Sequence, residues 1–271
     1  VALANALGQF VERPAVFVRG IAFDGGALCV AEDHISGMGL FRLNPANGAV
    51  LDTWSDEDMM TVVTRMSGMD WDGANYWFSD VITFNRRVSI VDPVTRRTVK
   101  MLNLLQSDTS GVYVLGTAFG DGYVWVLTSK GKVEKVDPRT GATVAEWLLP
   151  AEVARDQWGG FWGGIEYFSG AVWASSSAND RIYKLNPANG SVIRSFAGPD
   201  SSVSDLAKSG SGQLWVRGSQ AYLVNIGAAP WLNQDATAGA LAGGGSQPVQ
   251  LTFSTATAGL GVHTALVSVA S

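Results

Sequence analysis

Apolar and polar residues alternate along this chain in short runs, four to a unit. In the first unit "GIAFDG" from Gly20 is a brief apolar run closed by a Gly-rich turn, and "ALCVAED" from Ala27 follows it. "GLFRLNPA" from Gly39 alternates at period two, and "GAVLDTW" from Gly48 ends the unit. Runs of this length, rich in β-branched and large apolar residues and bounded by Gly, Asn, Asp and Pro, predict four antiparallel strands.

The unit recurs. "GIAFDGGALCV" from Gly20, "GMDWDGANYWF" from Gly68, "GTAFGDGYVWV" from Gly116 and "GIEYFSGAVWA" from Gly164 begin 48 residues apart, and "DLAKSGSGQLWV" from Asp205 is a fifth copy. The first four each run on to a second turn: "NPANG" at Asn44, "DPVTR" at Asp92, "DPRTG" at Asp137 and "NPANG" again at Asn186. In such a turn proline presets φ, the preceding Asn or Asp bonds the turn backbone, and glycine takes the positive-φ position. Asp24, Asp72 and Asp121 are read as serving the first hairpin of their units, in preference to binding a metal. Cys29, Trp77, Trp125, Trp173 and Trp215 share one position in the second strand and are expected to pack between neighbouring units.

A four-stranded unit repeated about every 48 residues predicts a propeller blade. The expected fold class is all-β: a five-bladed β-propeller over 1–229, followed by a partial Ig-like β segment over 230–271. The fifth copy lacks an outer strand after "AYLVNIG". Within 1–19, "NALGQFV" (Asn5–Val11) is the candidate strand that closes the ring or is exchanged between copies. The G-x-x-x-D-G-x-x-W-V…D-P-x-T-G unit resembles blades of the NHL-repeat and virginiamycin B lyase-like propeller superfamily over roughly Gly20–Ile226. That motif implies a propeller and says little about function, because such blades serve enzymes and binding modules alike. The tail resembles part of a bacterial Ig-like sandwich of the BACON-like kind. The resemblance rests on Pro230-Trp231-Leu232, Gly239 and Leu241, Gly245-Ser246, Val249, Leu251, Phe253, and Gly261 before "HTALVSV". A full sandwich needs about seven strands and this tail supplies three or four. Truncation, packing on the propeller and completion by a neighbouring subunit are the three explanations.

Composition narrows the function classes. Hydrophobic residues make up 46% and charged residues 16%, with 32 glycines and 10 tryptophans, as suits many tight turns around large packed side chains. A net charge of −5 argues against nucleic acid or an anionic membrane as partner. No apolar run of about 18 residues is present, so no membrane insertion is expected. Cys29 is the only cysteine, which excludes an internal disulfide. The chain starts at Val1, as either removal of a leader or trimming would leave it; the first implies export, and the expected location is extracellular or cell-surface.

Catalytic chemistry has few residues to draw on. The lyase resemblance implies a histidine and acidic residues with a divalent metal on one propeller face. No histidine lies between Ile35 and Val262, so that pattern is not placed. His34 with Asp33 and Glu32, in the connection between second and third strands, is one candidate cluster. No cofactor is expected; calcium is the candidate ion, with oxygens from Ser55–Met60 and Ser175–Asp180. Binding chemistry is read on one rim: Trp158, Phe161 and Trp162 in the long loop Glu152–Gly164, with Arg86, Asp180, Asp33 and His34. Loop aromatics suit sugar rings or a partner protein. The leading expectation is a non-enzymatic surface protein, the propeller a rigid display or binding module and the tail a connector. Its partner would be itself, as a filament or homo-oligomer by strand complementation, or another surface protein. The alternatives are a metal-assisted lyase or hydrolase working at the funnel mouth, and a carbohydrate-binding propeller that takes a glycan.

Overall fold

The computed structural model describes residues 2–6, 18–34, 37–60, 66–80, 86–104, 112–150, 163–201, 203–209, 212–218, 221–226, 232–234 and 251–253. Strand β1 (Ala2–Ala6) precedes four complete blades. Blade 1 is β2 (Val18–Phe23), β3 (Leu28–His34), β4 (Gly37–Leu43) and β5 (Val50–Trp54), followed by a short helix α1 (Asp56–Met60). Blade 2 is β6 (Met66–Trp71), β7 (Tyr76–Asp80), β8 (Arg87–Asp92) and β9 (Arg97–Asn103). Blade 3 is β10 (Val114–Gly120), β11 (Tyr123–Thr128), β12 (Lys132–Val136) and β13 (Thr143–Leu148). Blade 4 is β14 (Ile165–Phe168), β15 (Ala171–Ser176), β16 (Arg181–Leu185) and β17 (Val192–Ala197). Each forms its own antiparallel sheet in chain order. The first strand of every blade lies against the first strands on either side, and β18 (Asp205–Ser209) meets β2 to complete the ring.

Blade 5 draws on both ends of the chain. Strands β18, β19 (Gln213–Arg217) and β20 (Ala221–Asn225) are joined on the outside by β1, with Ala2 opposite Asn225 and Ala4 opposite Leu223. The closing strand thus starts earlier than the expected Asn5–Val11, and residues 7–17 lie outside the described residues. In the tail, β21 (Leu232–Gln234) and β22 (Leu251–Phe253) pair antiparallel. The rest of the expected Ig-like segment lies outside the described residues.

The repeated turns work as their residues dictate. Asn44 Oδ1 accepts the N–H of Ala46 at 2.8 Å, and Asn186 Oδ1 that of Ala188 at 2.9 Å. Gly48 and Gly190 close the two turns at φ of 75° and 71°. In the first hairpins Asp24 Oδ1 caps Gly26 and Ala27, and Asp72 Oδ1 caps Ala74 and Asn75. The second-strand position is buried in all five blades. Its side chains pack across the seams: Trp125 stacks on Tyr167 of the next blade at 5.6 Å between centroids, and Trp77 on Phe119 at 4.9 Å. Fully burying an aromatic of this size contributes about 1.5–3 kcal/mol, so the seams are where the ring is held.

Cys29 departs from tryptophan and rearranges its seam. Where Asp72 Oδ2 accepts the Trp77 indole N–H at 2.7 Å, the equivalent Asp24 Oδ2 instead accepts Arg42 Nε and Tyr76 Oη–H, both at 2.9 Å. Burial pushes the Cys29 thiol up to about 12, which makes it an inert thiol.

Candidate functional site

The strands that line the channel carry little charge, and what they carry is concentrated. Ala22, Asp70, Ala118, Glu166 and Ala207 stand opposite the second-strand Cys/Trp position and so occupy one level of the ring. The next residue along is Phe23, Trp71, Phe119, Tyr167 and Lys208. Two blades therefore place an acid where three place alanine, and one blade places a lysine where four place an aromatic.

These departures meet across the channel. Lys208 Nζ of blade 5 lies 2.7 Å from Asp70 Oδ1 of blade 2 and 3.1 Å from Glu166 Oε1 of blade 4. Both carboxylates are about 1% exposed, whereas the Lys208 side chain keeps 26% of its surface. The acids also cap backbone. The inner edge of each blade has no further strand to pair with, and buried N–H groups need acceptors. Asp70 Oδ2 takes the N–H of Phe119 at 2.7 Å, and Glu166 Oε2 takes that of Lys208 at 2.8 Å. Asp205 does the same at the closing seam, where its Oδ2 accepts the Ile21 N–H at 2.7 Å.

Electrostatics give the three members different tasks. Burial, with the Asp70 charge beside it, raises Glu166 to about 8, although Lys208 pulls the other way. Burial would lower Lys208, but the facing Glu166 and Asp70 carboxylates outweigh it and hold the ammonium charged. Burial raises Asp205 well above the ordinary carboxylate range. The cluster thus offers a carboxyl that exchanges its proton near neutral pH beside a permanent cation, a pairing suited to acid–base catalysis. Of the three ammonium hydrogens, two have the carboxylates as acceptors. The third has no partner among the described residues.

None of the sequence-predicted site residues belongs to this cluster. Trp158, Phe161 and Trp162 lie outside the described residues. Asp33 and His34 stand at the end of β3, opposite Met38 and Gly37, within the strand pairing instead of in the connection that follows it. Arg86 lies inward of the rim: its side chain is 5% exposed and its Nη2 sits 2.6 Å from the buried Glu134 of blade 3. Asp180 occupies the turn between β15 and β16 at φ 52°, and its carbonyl accepts the N–H of Gly198. The acidic run at Ser55 is a helix cap. Asp58 Oδ2 accepts the Ser55 N–H at 2.9 Å and that of Arg96 Nη1 at 3.0 Å, so this oxygen is engaged by donors. Among the described residues, no group of three or more His, Cys, Asp or Glu side chains is gathered so as to hold a metal ion. No helix among them is long and apolar enough to cross a membrane.

No family model matches the chain, and no curated protein sequence does. A solved structure does resemble it: the crystal structure of Myxococcus xanthus glutaminyl cyclase. That likeness has a TM-score of 0.58 and 12% sequence identity, and covers 88% of this chain and 92% of that one. At this identity the likeness shows the fold, a five-bladed propeller of four-stranded antiparallel blades. It also corrects the leading functional expectation. A passive display body was inferred from low charge and an unfinished tail, yet the propeller matched over most of both chains is an enzyme.

Proposed function

We propose that the chain is an enzyme whose site is the Lys208–Glu166–Asp70 cluster at one end of the channel, and that it catalyses acyl transfer at an amide carbonyl. The observation that carries this reading is Lys208 Nζ held between two buried carboxylates, one of which titrates near 8. In such a reaction an amine attacks a carbonyl, so a proton must leave the attacking nitrogen and reach the departing one. Glu166 is placed to carry that proton, and positioned acid–base groups contribute typically about 10²–10⁴-fold to a rate. Lys208 supplies its remaining N–H to the oxygen that becomes negative, a role that is strong where water is excluded. Asp70 holds Lys208 in place from across the channel. Glutaminyl cyclisation, the activity named for the similar propeller, is one reaction of this class.

The test is release of ammonia from peptides with an amino-terminal glutamine, followed by mass spectrometry. Turnover by the wild type that falls about 100-fold or more in Glu166→Gln and Lys208→Met, with unchanged circular dichroism, is expected. Absence of turnover on these peptides and on a panel of other primary amides, or full activity in both variants, would overturn the reading.

A further inference from the structure

The cluster presents its three members to solvent unequally. Asp70 and Glu166 keep about 1% of their side-chain surface, and Lys208 keeps 26%. Hydrogen bonds close the acids as well. Glu166 Oε1 accepts the N–H of Tyr167 at 2.8 Å and that of Lys208 Nζ at 3.1 Å, and its Oε2 accepts the backbone N–H of Lys208 at 2.8 Å. Asp70 Oδ1 accepts from Lys208 Nζ at 2.7 Å, and its Oδ2 accepts the N–H of Phe119 at 2.7 Å. Every carboxylate oxygen thus has a donor from the protein, whereas one ammonium hydrogen has no partner among the described residues.

A group exchanges a proton with a substrate only within hydrogen-bond reach. That leaves Lys208 Nζ as the atom of the cluster that meets substrate, and Nζ also touches both shielded acids. Lysine suits such a junction. Its ammonium carries three donors that turn about one bond, so a proton taken up at one corner frees another to leave from a different corner.

We propose that Lys208 is the proton relay of the site: Glu166 exchanges protons with the substrate only through Lys208 Nζ, and Asp70 holds Nζ in line. The relay rests on the catalytic reading above and assigns its contact with substrate. Lys208 is the catalytic residue, while Glu166 and Asp70 are positioning residues that act through it. As the attacking nitrogen bonds to the carbonyl carbon, the free Lys208 N–H faces the oxygen that becomes negative. The departing nitrogen sits on the same carbon, so the same hydrogen serves both in turn. That N–H bond of Lys208 breaks and its proton goes to the departing nitrogen. The electron pair left on Nζ takes the Glu166 carboxyl proton in the same step, the C–N bond breaks and the amine leaves. The surplus proton of the attacking nitrogen then returns through Nζ to Glu166, which restores the cluster. The two transfers are concerted because the facing carboxylates hold Lys208 charged, and no free neutral lysine has to form.

The first test needs no substrate. If the Glu166 proton reaches water only through Nζ, each ionisation of Glu166 swaps a Lys208 hydrogen with solvent. Nitrogen NMR of lysine-labelled protein reads that exchange, and Glu166→Gln should slow it about tenfold or more. A carboxylate that merely binds the ammonium protects it, so its loss would speed exchange instead. Glu166→Asp, which withdraws the carboxylate by one methylene, is the second variant should the first fail to fold. The second test is Lys208→Arg, which keeps the charge but cannot relay, because a guanidinium does not deprotonate in proteins. On peptides with an amino-terminal glutamine its kcat should fall about 100-fold or more, with KM within about threefold of wild type. Lys208 exchange that is unchanged or faster in the Glu166 variants, or Lys208→Arg within about tenfold of wild-type kcat, would overturn the relay. Slowed exchange without wild-type turnover would leave the proton path standing and remove the catalytic reading; turnover with unchanged exchange would do the reverse.

Discussion

The inner strand of blade 5 departs from those of blades 1 to 4 at two positions, and one of them, Lys208, meets the acids of blades 2 and 4. Blades 1 to 4 open their inner strands with Gly20, Gly68, Gly116 and Gly164 and place an aromatic three residues later. The glycines are required by crowding near the axis: a Cβ on Gly68 would stand 2.8 Å from Gly116 Cα. Blade 5 has Asp205 in that position and Lys208 in place of the aromatic. Asp205 fits because its carboxylate accepts from donors on both sides, the N–H of Ile21 and that of Leu206. Lys208 turns away from the seam and spans the channel. The recurring positions thus build the ring, and the departures in blades 2, 4 and 5 bring its buried charges together.

Returning blade 5 to the pattern is the severest test of that contrast. Lys208→Phe restores the common aromatic but strands Asp70 and Glu166 without their cation. Breaking a buried ion cluster by removing one partner costs about 3–5 kcal/mol, and urea unfolding at neutral pH should show a loss near the lower end. The triple variant Asp70→Ala, Glu166→Ala, Lys208→Phe gives every ring level the residues that blades 1 and 3 already use. Apolar replacement of a whole buried cluster is often neutral or stabilising, so it should regain part of that loss while remaining inactive, short of full recovery because the backbone N–H groups at positions 119 and 208 lose their carboxylate acceptors. A triple variant as unstable as the single one would show that the cluster exists to brace the ring.

The second test sets two seams side by side. In Gly164→Ala the new Cβ would meet Asp205 Oδ1 at 2.1 Å and Asp205 Cα at 2.4 Å, so backbone must move. In Gly116→Ala the nearest atoms are Ile165 N at 3.1 Å and Gly164 Cα at 3.2 Å. Overpacking costs roughly 1–3 kcal/mol. Gly164→Ala should lie at the top of that range or beyond and Gly116→Ala at the bottom, by denaturant midpoint. Equal losses would mean that the seam between blades 4 and 5 is no tighter than the others.

The contrast also explains what the sequence made legible. Glycine, Asx-Pro turns and the second-strand tryptophans recur because each blade must solve the same packing problem, so blade number and strand order follow from a self-alignment. The site does not recur, and a reading that weights recurrence passes over it. Asp70, Glu166 and Lys208 lie up to 138 residues apart and meet only once the strands are wrapped into a ring. The available signal was a mismatch: "GMDW" and "GIEY" carry an acid where "GIAF" and "GTAF" carry alanine, and "DLAK" ends in a cation. Arg86 misled for the opposite reason. It follows a turn-like segment, yet Glu134 of the next blade draws it inward, and a cross-blade partner has no local trace. The cluster holds no histidine; its group that titrates near neutral pH is Glu166.

The smallest expected effect is the one that fixes that last point. Glu166 gives up its proton near 8 in the folded chain and near the ordinary 4.5 once unfolded. Between those values the folded state binds more protons, so stability is fully present below about pH 4.5 and is lost as pH rises through 8. Asp205 is raised as well and adds a slope of the same sign. The lowered carboxylates oppose this, but in a different window. Asp24, for example, resists its own burial through bonds from Gly26 and Ala27, and contributes stability that is lost only as pH falls through its depressed value. Because Lys208 shares the Glu166 proton equilibrium, the loss between about pH 5.5 and 8 should be about 2 kcal/mol, less than the full linkage of roughly 1.4 kcal/mol per pH unit. Glu166→Gln should flatten most of it and Asp205→Asn a further part. If wild-type stability instead rises across that interval, Glu166 is ionised throughout, the cluster is a permanent salt bridge, and blade 5 differs from the others in architecture alone.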